Sequence, residues 1–175
     1  MKPDVVPILA YLDNLGVGYS QSDGGYFKAG WVSFQYTCRN AGSIDVQVHY
    51  NENCTVFTVI GIKYEALDEK NHDEVLRLAN EANLRSRFSY MVVGDAQDEK
   101  FYFWCTCSNA AEDWAGDYTI DAMIRNTCDM VDQYYPAVMK INWAGITARE
   151  ALDSLGPEND DEESGNPAPP IDGYQ

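Results

Sequence analysis

From Pro3 to Leu15, the residues Val5, Ile8, Leu9, Leu12 and Leu15 recur every three or four positions, the spacing of one helix face. Asp4 can cap this helix, and Pro7 falls in its first turn, where a missing N–H costs little. Gly16 and Gly18 end it. GYSQSDGGYF then reads as a short strand and a turn at Gly24–Gly25. After that the period drops to two. Ala29 to Cys38 puts Val32, Phe34, Tyr36 and Cys38 on one face, and Ile44 to Tyr50 does the same with Val46, Val48 and Tyr50. Cys54 to Tyr64 is apolar on both faces, with Val56, Ile60 and Ile62 opposite Phe57 and Val59, the pattern of a central strand. RNAGS and the tight NEN at Asn51 to Asn53 supply turns, so these strands predict an antiparallel meander.

The period returns to helical between about Asn71 and Arg85. Val75, Leu78, Ala79 and Ala82 form an i, i+3, i+4, i+7 stripe, and Asn71 with Glu74 predicts a capping box. Asp73 and Glu74 at the start and Arg85 at the end suit the helix dipole. Arg87 to Val93 and Glu99 to Ser108 then read as a hairpin around the polar GDAQDE turn. A last helix starts after Gly116. Ile120, Ile124, Thr127, Val131, Tyr134 and Val138 form its stripe to about Ile141, with a kink or break expected at Tyr135 because Pro136 follows. The fold class is therefore α+β: an antiparallel sheet of meander plus hairpin, flanked by helices, in the order α-β-β-β(-β)-α-β-β-α. Residues 1–150 read as one domain and 151–175 as an acidic Pro/Gly-rich tail. ENDDEESGNPAPPIDGYQ buries too little apolar surface to offset its ordering entropy, so disorder is expected there.

Charge narrows the partners. The chain of 175 residues has a formal net charge of −16. All six charged residues after Leu155 are acidic, which leaves −10 on the remainder. Such a field repels phosphates and anionic lipid, so neither nucleic acid nor a membrane surface is an expected partner. No segment approaches the roughly 20 apolar residues of a membrane span. VVPILAYL follows Asp4, contains Pro7 and lacks a small-residue cleavage site, so it is not expected to be a signal peptide. A cytoplasmic protein with five reduced cysteines is the consequent expectation.

Candidate chemistry is sparse. Cys105 and Cys107 share a strand face, but no spacing among them and Cys38, Cys54 and Cys128 matches a zinc site. They read as small buried hydrophobes, with no metal or cofactor expected. His49 and His72, the only histidines, have no recognisable nucleophile motif beside them, and each reads as exposed or locally satisfied. The carboxylates show no pair split between buried and exposed settings. P-loop, GxGxxG, HExxH and EF-hand patterns are absent from the sequence. No catalytic residue is therefore assigned, and the chain is expected not to be an enzyme.

The aromatic residues say more. In the last strand Phe101, Phe103, Cys105 and Cys107 share one face, and Tyr102, Trp104 and Thr106 the other. If helices cover one face of the sheet, the second carries Trp31, Phe57, Tyr102 and Trp104, a candidate partner surface.

The block LRLANEANLRSRFSYMVV-GDAQDEKFYFWCTCSN and the later MVDQYYPAVMKI resemble the YbjN family, described as bacterial sensory transduction regulators, whose fold is similar to type III secretion chaperones. The matching pieces are the LANEAN helix end, the polar turn into an aromatic strand, and Asp132, Tyr134, Tyr135 and Pro136 of a DxYYP segment, within roughly residues 4 to 145. The resemblance implies that fold and brings no catalytic residues. Secretion chaperones bind extended segments of clients and are commonly dimers. Two functions follow as expectations. The first is a non-enzymatic protein-binding module, a chaperone-like adaptor or regulator that binds an extended segment of a partner protein. The second is a small-ligand sensor or enzyme whose site is assembled from scattered residues such as His49 and Cys105. Leu76 and Leu84, off the main helical stripe, offer a further apolar contact for a homodimer.

Overall fold

A computed structural model describes residues 7–24, 30–51, 55–95, 99–110 and 116–156. Helix α1 (Pro7–Leu15) ends at Gly16, which takes the left-handed φ of +69° that a helix stop of this kind favours. The expected cap at Asp4 lies outside the described residues. Strands β1 (Ser20–Ser22), β2 (Gly30–Thr37), β3 (Ser43–Tyr50) and β4 (Val56–Ile62) follow as an antiparallel meander. Asn51 holds the β3–β4 turn by accepting from the Thr55 and Val56 amides at 2.8 and 3.0 Å. A short strand β5 (Leu67–Asp68) and a 3-10 turn lead into α2 (His72–Arg85). Then come β6 (Tyr90–Val93), β7 (Lys100–Phe101), β8 (Phe103–Ala110), α3 (Asp117–Ala144) and α4 (Ala148–Asp153). The main sheet has the order β1-β2-β3-β4-β8-β6, all antiparallel, and the small β5–β7 pair stands apart.

The period-2 faces fall where the pattern puts them. Val32, Phe34, Ile44, Val46, Val48, Val59, Phe103 and Cys105 are buried on one side. Against that side lies α3, whose stripe Ile120, Ile124, Thr127, Val131, Tyr134, Val138 and Ile141 is wholly buried. Helix α3 contacts β3, β4 and β8, α2 lies beside β6, and α4 packs on both helices. The molecule is thus α+β, with its described helices gathered on one face of the sheet.

Four expectations need correction. Pro136 does not break α3, which runs through it from Asp117 to Ala144. A proline has no N–H to give the carbonyl four residues back, here that of Asp132. Asn40 supplies the missing donor, its side-chain amide reaching the Asp132 carbonyl oxygen at 3.3 Å. The Asp132 carboxylate in turn accepts from the backbone amides of Asn40 and Ala41 at 2.5 and 2.8 Å, which fastens the β2–β3 turn to the helix. The DxYYP segment is therefore a clamp: Tyr134 is buried, and the Tyr135 hydroxyl donates to Glu65 at 2.6 Å.

The capping box at Asn71 does not form. Asn71 donates instead to the main-chain and side-chain oxygens of Asn142, at 3.2 and 3.3 Å, and Glu74 accepts from the Ala148 amide at 2.8 Å. The capping box that does form is Thr147 with Glu150, at the start of α4. Helix α4 buries Ala148 and Ala151 and packs Leu152 and Leu155 on the core, so the fold continues past residue 150. The second hairpin strand is split at Tyr102. Lys100 and Phe101 pair with β5, and only from Phe103 does the chain join the main sheet, between β4 and β6. The tail from residue 157 lies outside the described residues.

The outer edge of β6 is closed by a side chain. Met91 N–H donates to Asn83 Oδ1 at 2.7 Å, and Asn83 Nδ2 donates to the Met91 carbonyl at 2.9 Å. An amide so placed imitates the next strand and blocks edge-to-edge pairing. Asn83→Ala should cost about 1–3 kcal/mol in urea unfolding, because two strand groups lose their partners. It should also raise self-association in sedimentation velocity, and a variant as stable and as monodisperse as the parent would contradict this role.

Candidate protein-binding surface

The second face of the sheet is built from the residues that alternate with the core. Strand register aligns them in three rows: Trp31, His49, Thr58 and Ser108; then Ser33, Gln47, Ile60, Thr106 and Tyr90; then Gln35, Asp45, Ile62, Trp104 and Val92. None of the described helices packs here, and most of these residues keep partial exposure.

The face has two halves. On β2 and β3 it is polar and organised by Asp45. This carboxylate accepts from Gln35 at 3.2 Å and from Gln47 at 3.0 Å, and Gln47 also donates to the Tyr64 hydroxyl at 3.0 Å. On β4, β8 and β6 it is mainly apolar: Ile62, Trp104, Val92 and Tyr90 at the surface, with Ile60 buried among them. Trp104 lies against the bare backbone of Gly94, where a Cβ would come within 3.1 Å of its ring. Tyr90 is 52% exposed, although its strand neighbour Met91 is buried.

The residues expected on this surface divide accordingly. Trp31 and Trp104 both lie on it and are half-buried, at opposite corners. They stand three strands and two rows apart, about 14 Å across the sheet and about 13 Å along it. Tyr102 is 43% exposed at the bend where β7 passes into β8, beside the apolar half rather than within the sheet. Phe57 does not belong to the surface. It sits on the helix-covered face with Val59 and Gly61 and is fully buried. Strand β4 is apolar on both faces, so its pattern alone does not say which side the helices take. The same face also carries Ile60, Ile62, Tyr90 and Val92, which were not expected there. Counting by two from Trp104 across the register finds Val92 and Tyr90, once the pairing is known.

His49 is buried on this face, covered by the Trp31 indole stacked on it at 5.5 Å between ring centres and 17° between planes. Its Nε2 lies 3.3 Å from Gln47 Oε1, and burial lowers its pKa below the ordinary 6.5. His72 packs edge-on to Phe101 and bonds the Gly94 carbonyl at 3.1 Å. The described cysteines are buried, and burial raises the thiol pKa of Cys38 to about 12 and pushes Cys105, Cys107 and Cys128 up as well. Thiols held protonated are poor nucleophiles. Among the described residues no cluster of His, Cys, Asp and Glu is placed to hold a metal ion, and no helix is long and apolar enough to cross a membrane. The α2–α4 groove of about 660 Å³ is lined by Glu74, Arg77, Arg149 and their neighbours, and reaches neither His49 nor Cys105. Leu76 and Leu84 are exposed on α2, at 40% and 82%.

His49 makes stability pH-dependent with a definite sign. The unfolded histidine takes up its proton near 6.5, whereas the buried one resists it, so its contribution is complete above that value and lost as pH falls through it. Urea melts of the parent and of His49→Gln should show a stability difference that shrinks between about pH 7.5 and about pH 5.5. A difference independent of pH would contradict the burial of a neutral imidazole.

No family model matches the chain, and no curated protein matches its sequence. Among solved structures, that of YbjN, a candidate transcription regulator from E. coli, superposes with a TM-score of 0.56 at 9% identity, covering 81% of this chain and 93% of that one. The chain therefore shares a YbjN-like α+β fold, a mostly antiparallel sheet flanked by helices.

Proposed function

We propose that this protein is a non-enzymatic binding module, a chaperone-like adaptor or regulator that holds an extended segment of a partner protein across the open face of its sheet. The observation that carries the reading is the apolar half of that face, Ile62, Trp104, Val92 and Tyr90, which no described helix covers. Half-buried tryptophan and tyrosine are the side chains that most often anchor partners. Trp104 is the central anchor, with Tyr102 beside it and Trp31 at the far corner. The partner lies across the face rather than along the β6 edge, because Asn83 already occupies the outer hydrogen-bonding groups of Met91. The structural likeness to a candidate transcription regulator favours a regulatory setting for such binding. The net charge of −16 makes a protein target easier to accommodate than nucleic acid.

The test is capture from a lysate of the source cell with the full chain, compared with Trp104→Ala, Trp31→Ala and Trp143→Ala. Trp143 is 73% exposed on α3, away from the sheet, and serves as the control. A stoichiometric protein retained by the parent and by Trp143→Ala, but reduced at least about tenfold with Trp104→Ala, is the expected result. Trp104→Ala should cost less stability than the about 3–5 kcal/mol of a fully buried aromatic such as Phe57. Retention unaffected by both sheet-face changes would contradict the assignment.

A further inference from the structure

Among the residues aligned in the three rows of the open face, Asp45 is the only acidic or basic side chain besides the buried His49. It is half-buried, and both its bonds come from neutral amides: Gln35 Nε2 donates to Oδ1 at 3.2 Å and Gln47 Nε2 to Oδ2 at 3.0 Å. A carboxylate oxygen accepts about two bonds, so each keeps room for one more. Ser43 donates to Gln35 Oε1 at 2.7 Å, which helps fix the carboxylate's orientation. Gln47 Nε2 also donates to the Tyr64 hydroxyl at 3.0 Å, which brings a phenol ring that is 65% exposed beside Asp45. Lys63, at the end of β4, gives its ammonium to the Ser43 carbonyl at 3.1 Å. No ion pair among the described residues involves Asp45. A carboxylate aimed by two amides, next to an exposed aromatic ring, suits an ammonium or a guanidinium.

We propose that the segment bound on the open face carries a lysine or arginine that seats over Asp45 and Tyr64, two positions beyond a pair of alternate apolar residues. This inference rests on the open-face reading and names the class of segment that the face takes. The spacing follows from the sheet. Asp45, Ile62, Trp104 and Val92 are aligned in one row on the neighbouring strands β3, β4, β8 and β6. Three strand gaps of about 4.8 Å put the ends of that row about 14 Å apart. Four residues of extended chain advance about 13 Å, with the side chains of i, i+2 and i+4 on the side that faces the sheet. Apolar residues at i and i+2 then meet Val92, Trp104 and Ile62, and a basic residue at i+4 meets Asp45. A segment running the other way has the same spacing in reverse. The net charge of −16 draws such a cationic segment in at low salt.

The test is selection on the full chain from a displayed library of random peptides of about 12 residues, long enough to span the face. Peptides that are enriched by the parent and lost with Trp104→Ala should share two alternate apolar residues with Lys or Arg two positions beyond. In fluorescence anisotropy, a synthetic copy with that basic residue changed to Gln should bind the parent about threefold to fivefold more weakly, the effect of one exposed charge pair. The same change should make no difference to binding by Asp45→Asn, which keeps the shape of the side chain. Asp45→Lys should turn the preference towards Glu at that position. Trp104-dependent peptides with no basic preference, or with the same preference on Asp45→Asn, would overturn this inference and leave the open-face reading standing. No enrichment at all, or enrichment indifferent to Trp104→Ala, would overturn both.

Discussion

Gly61 is the point on which the architecture rests. It is the last residue but one of the central strand β4, directly under α3, and a Cβ there would come within 3.2 Å of Thr127 Cγ2 and 3.3 Å of Val131 Cγ2. Only a residue without a side chain lets a 28-residue helix seat directly on the strand, and that close approach allows α3 to cover β3, β4 and β8 together. One helix resting on one face leaves the other face to be managed by its own side chains.

The DxYYP clamp makes that seating rigid. A proline inside so long a helix leaves a carbonyl without its donor, and this chain fills the gap with Asn40 from the β2–β3 turn. The same aspartate that offers the carbonyl also grips the turn through its carboxylate. Helix, turn and two strands are thereby tied at the residue that follows Val131, beside the Gly61 contact itself.

Most of the sheet was legible in the sequence because a half-buried strand writes its two faces into alternate residues. Val32, Phe34, Val46 and Val48 are buried, and Trp31 and Trp104 lie opposite them. Where a strand is apolar on both faces, as in β4, alternation cannot say which side the helices choose, and Phe57 was placed on the wrong one. The continuous course of α3 through Pro136 was hidden for another reason: its compensating donor is 92 residues away along the chain. Helix α4 did announce itself, through Thr147 and Glu150, but six residues are too few for a periodic stripe to register. His49 shows the limit of reading polar positions as exposed. It occupies the open face and is buried all the same, because a tryptophan from the adjacent strand stacks on it.

The division of the open face into an Asp45-centred polar half and an apolar half around Trp104 gives it an orientation. A partner segment would place its apolar side chains over β4, β8 and β6 and its polar ones over β2 and β3. The most direct test is ¹⁹F NMR of the chain labelled with 5-fluorotryptophan, titrated with the captured partner. Occupation of the open face predicts that the Trp104 and Trp31 signals move or broaden while the Trp143 signal stays in place. Movement of Trp143 alone, with Trp104 and Trp31 unchanged, would put the partner on the helical side and contradict the account.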